Sequence, residues 1–235
     1  MVPLDLAPID LATHGPIIPV IVLPDIQDAV PLARALVAGG VRVLGITLRT
    51  PAALASMQRI VAEVPEAIVG AGTLRTVADA EAARSSGCTV GVSPGFSAQL
   101  ADRCRDIGLP LLPGVSTASE VMQAGEHGYS FLKLFPAAAV GGVTLLEALA
   151  GPFPDVTFCP TGGITIDTAP DYLALPNVAV CGGTWLTPRE VLAAGDWAEV
   201  TRRARVAQAL AGVPGSDGEN LTRLLADEQG RAQDA

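Results

Sequence analysis

Apolar residues fall along this chain in short runs separated by longer stretches of mixed polarity. Residues 17–23 read Ile-Ile-Pro-Val-Ile-Val-Leu, a β-branched run without polar alternation that suits a strand buried on both faces. A helical pattern over 26–38 follows and stops at Gly39 and Gly40, glycine being the usual residue just past a helix end. The unit then recurs. The pattern predicts further strands at 41–48, 67–73, 88–93, 111–115, 131–135, 156–160 and 178–181. It predicts helices at 51–63, 77–86, 97–107, 117–126, 142–149 and 167–174, with helical material from 188 to 211 after the last strand. Pro51 is well placed in a first turn, and residues 3–13 predict a short leading helix.

Eight β-then-α units, about 20–25 residues apart, predict an α/β protein of the (β/α)8 TIM-barrel type rather than an open doubly wound sheet. An open sheet would need a topological switch and a nucleotide fingerprint, and neither GxGxxG after the first strand nor GxxxxGK[ST] is present. Residues 1–212 are expected to form a single barrel with its short N-terminal helix. Residues 213–235 are expected to be a C-terminal extension, partly helical or disordered, with a linker at 214–218 and a turn or two of helix at 220–225.

Composition narrows the function. Apolar residues make up 49% of the 235 and charged ones 17%, which describes a packed globular chain. A net charge of −9 argues against non-specific nucleic-acid or anionic-membrane binding, since both need a basic footprint. Four widely spaced cysteines form no CxxC pair, so free buried thiols in a cytoplasmic protein are expected. No apolar run reaches about 18 residues, and no export signal precedes the first strand. His14 and His127 belong to no ligand cluster, so no metal site is expected. A serine-hydrolase reading fails for want of GxSxG.

One residue concentrates the chemistry. Lys133 is the only lysine among 15 basic residues, and it sits in a strand between Phe131, Leu132, Leu134 and Phe135. Such surroundings disfavour the ammonium form and lower the amine pKa. A desolvated amine is the expected nucleophile for Schiff-base chemistry on a ketone; the plain alternative is a strand-end charge reaching solvent or a carboxylate. In a barrel, chemistry collects at the C-terminal strand ends. There, alternation puts Gly45, Thr47 and Arg49 on the inner face, which makes Arg49 a carboxylate clamp or else a rim arginine in a salt bridge. Ser116 or Thr117 reads as a helix cap. Strands seven and eight end in Gly162 and Gly163, and in Gly182 and Gly183, each pair next to a threonine. Paired glycine turns with hydroxyls suit a phosphate cradle of backbone N–H groups, although single turns of this kind are common.

Several segments taken together, Gly-Gly-Val-Arg-Val-Leu-Gly-Ile-Thr-Leu-Arg-Thr at 39–50, Ile-Val-Gly-Ala-Gly-Thr at 68–73, Leu-Pro-Gly-Val-Ser-Thr at 112–117, Phe-Leu-Lys-Leu-Phe-Pro at 131–136 and Phe-Cys-Pro-Thr-Gly-Gly at 158–163, closely resemble the bacterial 2-keto-3-deoxy-6-phosphogluconate (KDPG) and 4-hydroxy-2-oxoglutarate (KHG) aldolases. The likeness covers roughly 12–212. It implies a class I aldolase on a (β/α)8 barrel, a homotrimer without metal or other cofactor, acting on a phosphorylated keto acid and releasing pyruvate. Lys133 resembles the Schiff-base lysine. Arg49, Thr73 and Thr161 resemble the residues holding the pyruvyl carboxylate and keto region, with Pro94 and Phe135 lining the pocket. Gly162, Gly163, Gly183 and Thr184 resemble the phosphate-binding set, where the last position is commonly serine.

One departure stands out. Where the family pattern carries Glu-Val-Thr-Leu-Arg-Thr, this chain has Gly45 at the first position. That carboxylate is the family's general acid/base, whose loss costs a factor of about 10²–10⁴. A single change inside an intact signature is what an engineered or evolved variant carries. A weakened or re-specified aldolase, a phosphosugar isomerase and a non-catalytic sugar-phosphate-binding protein remain the alternatives.

Overall fold

The first strands form where the β-branched runs lie. They are β1 (Ile17–Ile21), β2 (Val43–Thr47) and β3 (Ile68–Gly72), separated by α1 (Ala29–Ala38) and α2 (Ala53–Glu63). Each helix carries the chain back to the same sheet edge, so the strands pair in parallel. In this computed structural model, which describes residues 8–210, α3 (Val77–Ser85), β4 (Val90–Val92), α4 (Ala98–Asp106), β5 (Leu111–Leu112), β6 (Gly114–Val115), α5 (Ala118–Glu126) and β7 (Phe131–Leu134) come next. Then follow α6 (Gly142–Ala150), β8 (Thr157–Phe158), α7 (Ala169–Leu173), β9 (Cys181–Gly183), α8 (Arg189–Ala194) and α9 (Trp197–Ala209). The expected leading helix is a 3-10 segment, Pro8–His14. The extension expected at 213–235 lies outside the described residues.

Among the described residues the eight expected strands occur as nine short ones in two parallel ladders, β5-β4-β3-β2-β1-β9 and β6-β7-β8. The predicted fifth strand is divided at Pro113. Proline has no N–H to give a ladder, and there the chain changes partner: β5 pairs with β4, and β6 pairs with β7. Pro113 still accepts, its carbonyl taking the Lys133 N–H at 2.9 Å. Single parallel pairs, Phe158 with Val178 and Thr161 with Gly182, link the neighbourhood of β8 to that of β9. The eighth strand thus sits later than expected, with only Val178 paired ahead of it. The helical material after 188 is two helices, because Gly195 adopts a left-handed turn at φ 62° and Asp196 caps the second helix.

Alternation along the strands divides the interior into two layers. Ile21, Leu44, Ile46, Leu132, Leu134 and Phe158 are wholly buried against the helices, with Leu32, Leu36, Met57 and Ile60 opposite. Each such side chain contributes about 1.5–3 kcal/mol by leaving water. The alternate positions face inward and form two small clusters, Leu11 with Val43 and Val90, and Leu112 with Phe131, Cys159 and Val180. Helix starts are well specified. Thr76 with Asp79 and Thr117 with Glu120 make reciprocal capping boxes, and Ser97 caps α4.

Candidate active site

β7 aims Lys133 inward. Its register partner is Gly114 on β6, and a side chain at 114 would overlap the backbone of Pro94. The glycine therefore lets the β4–α4 turn press against the strand beside the lysine. Ser93 ties that turn down, its hydroxyl donating to the Gly95 carbonyl at 2.8 Å and accepting from the Gly114 N–H at 3.4 Å. Lys133 is only 7% exposed. Its Nζ lies 4.5 Å from the centre of the Phe135 ring, and no described carboxylate pairs with it. Burial lowers its pKa to about 8, opposed by Cys159 and helped least by the Arg49 charge.

The amine opens on a cavity, and Gly45, Arg49, Thr73, Thr161 and Cys159 share its wall. Five of the residues singled out from the sequence thus meet in one place, and Phe135 touches the amine from the side. The exposed Arg49 reaches across from the end of β2, its Nε donating to Thr73 Oγ1 at 3.1 Å. Thr73 holds φ at 64°, the only described non-glycine residue in the left-handed region. Such a backbone costs about 1–3 kcal/mol and collects at ligand sites. Thr161 Oγ1 lies near its own strand, 3.3 Å from the Cys159 carbonyl.

Pro94, Gly162, Gly163, Gly183 and Thr184 do not line this cavity. Gly162 and Gly163 have φ of 99° and 77° and follow Thr161 at the mouth, the first partly and the second fully exposed. Among the described residues nothing accepts their N–H groups. Ala137 and Ala138 donate to the Thr161 and Gly162 carbonyls at 2.8 and 3.0 Å, fastening this turn to the end of β7. Packing also requires these glycines: a Cβ at 163 would lie 2.6 Å from the Ala138 Cβ, and one at 183 would lie 2.8 Å from Trp185 Nε1.

The sequence pattern did not single out Cys159, though it stands two residues before Thr161 and alternation sends both inward. Burial pushes its thiol up to about 11. Gly182 is a further wall residue, glycine there because any side chain would overlap Thr161. Among the described residues no Asp, Glu or His lines the cavity. Glu120, in the first turn of α5, is committed elsewhere. Burial pushes its pKa up, but N–H and hydroxyl bonds from Ser116 and Thr117 outweigh that and lower it overall. His127 closes α5, its Nδ1 3.0 Å from the Gln123 carbonyl and its ring edge-on to Phe96. No group of three or more His, Cys, Asp or Glu that could hold a metal ion occurs among the described residues, and none of their helices is long and apolar enough to cross a membrane.

The profile "KDPG and KHG aldolase" matches residues 9–203. This chain belongs to that aldolase family. The 2-dehydro-3-deoxy-phosphogluconate aldolase of Pseudoalteromonas atlantica is 47% identical over 206 residues, 88% of this chain and 95% of the relative. A structure of KDPG aldolase from Legionella pneumophila, with pyruvate captured at low pH as a covalent carbinolamine intermediate, superposes with a TM-score of 0.85 at 40% identity. It covers 87% of this chain and 99% of that one. The Zymomonas mobilis ZM4 KDPG aldolase with 3-phosphoglycerate gives 0.83 at 42% identity, covering 88% and 98%.

Proposed function

We propose that this family member is a Schiff-base aldolase that cleaves 2-dehydro-3-deoxy-6-phosphogluconate to pyruvate and D-glyceraldehyde 3-phosphate, and 4-hydroxy-2-oxoglutarate as a second substrate. The observation that carries the reading is the state of Lys133: a lone amine, nearly buried, unpaired, and opening on a cavity with a guanidinium at its rim. At a pKa of about 8 roughly a tenth of it is neutral and nucleophilic at pH 7.

The steps follow from that geometry. The free amine attacks the C2 ketone, and loss of water leaves an iminium between Lys133 Nζ and C2. Arg49 and Thr73 are suited to bind the neighbouring carboxylate, because the Thr73 hydroxyl and the guanidinium already face one another. Removal of the C4 hydroxyl proton lets the C3–C4 bond break, its electron pair flowing into the iminium and the aldehyde leaving. The resulting enamine takes a proton at C3, and water hydrolyses the imine to pyruvate and free Lys133. The open N–H groups of Gly162 and Gly163, with Gly183 and Thr184 across the mouth, are assigned to the phosphate. Pro94 and Phe135 are assigned to the pocket beside the amine.

With Gly45 on the inner wall, proton transfer at C3 and at the C4 hydroxyl falls to water, and turnover is slow. That is the second reading worth keeping, a weakened or re-specified catalyst, and Gly45 favours it. We further propose that the two ladders are arcs of one closed (β/α)8 barrel, supported by the continuity of the chain through Pro113 and the single pairs at 158/178 and 161/182. A cytoplasmic homotrimer is the assembly the family implies.

Incubation with pyruvate and borohydride tests the core of this reading. One reduced pyruvyl adduct is expected, on the peptide containing Phe131–Leu134. An adduct on the N-terminal amine alone, or none, overturns it.

A further inference from the structure

The cavity on which Lys133 opens runs on into the interior between the strands. Such interiors are normally filled by layers of branched side chains. Here four wall positions, Gly45, Gly70, Gly72 and Gly182, are glycine because Pro19, Val90, Thr47 and Thr161 crowd the places where a Cβ would go, so the space is bounded by those neighbours. Ile18 and Val20 within β1 and Val92 at the end of β4 line the cavity yet are only partly buried, and the same cavity reaches down to Leu11 in the 3-10 segment. Polarity divides this space in two. Arg49 and Thr73 stand at the upper end, Lys133 lies between, and the lower wall is valine, isoleucine, leucine and glycine. Thr47 adds no polarity, since its hydroxyl donates to the Ile21 carbonyl at 2.8 Å. A cavity with apolar walls holds water poorly and apolar groups well.

We propose that this lower space accepts an alkyl substituent on C3 of the keto acid, so that the enzyme takes 2-oxobutanoate and 2-oxopentanoate as carbonyl donors as well as pyruvate. The proposal rests on the Schiff-base reading above. A keto acid bound through C2 to Lys133, with its carboxylate at Arg49 and Thr73, has C3 left to direct. An aldehyde leaves or arrives towards the glycine turns at the mouth, and the remaining C3 substituent is turned inward to the apolar wall. The step balances without a co-reactant. Lys133 and the ketone form an iminium and release water; a C3 proton passes to solvent and gives the enamine; a solvent proton or deuteron returns to C3. Each added methylene that leaves water for this wall is expected to tighten donor binding about fourfold.

The test follows C3–H exchange by NMR in deuterated water for pyruvate, 2-oxobutanoate and 2-oxopentanoate, alongside borohydride trapping of each. Expected are adducts of all three on Lys133 and a KM for 2-oxobutanoate exchange at or below that of pyruvate. In Val20→Phe, and in Val92→Leu as the milder filling of the same space, the ratio of 2-oxobutanoate to pyruvate exchange should fall at least tenfold, the discrimination expected of a filled apolar pocket. A pyruvate adduct without a 2-oxobutanoate adduct, or an unchanged ratio in a folded filling variant, overturns this proposal and leaves the aldolase reading intact. No adduct with any of the three overturns the aldolase reading itself.

Discussion

Placing a carboxylate at position 45 is the most informative single perturbation. Gly45 lies on the cavity wall shared by Lys133 and Arg49, so a glutamate there would project into the reacting space. A positioned acid/base is worth about 10²–10⁴ in rate, which sets the gain expected in kcat for cleavage and for C3–H exchange. The backbone resists the change. A Cβ at 45 would lie 2.8 Å from the Pro19 carbonyl oxygen on β1, inside van der Waals contact. The two strands must therefore yield, at an overpacking cost of about 1–3 kcal/mol. Gly45→Ala carries that cost alone, and Gly45→Gln adds the length without the proton chemistry. All three variants should melt below the parent, while Gly45→Glu alone should exchange and cleave faster, by roughly 10²-fold or more in kcat. If Gly45→Glu is folded and no faster than Gly45→Gln, another group or ordered water already moves the protons and the role given to this position is wrong.

Other outcomes follow from the same geometry. The rate of pyruvate trapping should rise about tenfold per pH unit and level off above the Lys133 pKa of about 8. That pKa is below the value of about 10.4 in the unfolded chain, so the unfolded state binds more protons between the two and stability rises with pH across that window. Below it the full penalty of about 3 kcal/mol is present, and Lys133→Met should raise the melting temperature at pH 7 and lose the pH dependence. Arg49→Leu should raise the KM for pyruvate about 10–100-fold, the range for hydrogen bonds to a charged group, with a smaller effect on kcat. Thr73→Gly should relieve the left-handed backbone and stabilise the fold by about 1 kcal/mol while raising the same KM. Inorganic phosphate should inhibit cleavage of the phosphorylated substrate and leave pyruvate exchange unaffected. Alanine at 163 or 183 is no test of the cradle, since clashes with Ala138 and Trp185 would lower stability whether or not phosphate binds.

The alternation of strand and helix was legible because every strand run is apolar and most helices close on a glycine or open on a capping side chain. Strand boundaries were less so. Pro113 reads as part of an apolar run, and only its missing N–H reveals that the ladder changes partner there. Lys133 was found by rarity and by its neighbours, two cues carried wholly in the sequence. Its freedom from any carboxylate was not, because that depends on which side chains reach over from other strands. Cys159 and the lower cavity were invisible for a related reason. Alternation says that a residue faces inward but not whether opposing walls meet, and four glycines scattered over 138 positions come to line one cavity only when β3, β2, β1 and β9 stand in that order.

That cavity and the low pKa of Lys133 have one physical origin. The amine is kept partly neutral by being out of water without a counter-ion, not by a strong positive neighbour. A carboxylate at position 45 would work against this, since an anion about 6 Å away at an effective dielectric of about 20 favours the ammonium by 2–3 kcal/mol. It would carry the lysine pKa from about 8 to roughly 9–10 and cut the neutral amine at pH 7 by about 10–100-fold. The same glutamate thus speeds the steps after the Schiff base and slows its formation. In Gly45→Glu the gain should therefore appear in full in kcat, while kcat/KM at pH 7 gains far less and recovers towards pH 9. The pH at which trapping levels off should move upward with it. A variant whose trapping profile stays at about 8 while kcat rises would show that the new carboxylate is itself protonated in this apolar space, an acid without being a counter-ion.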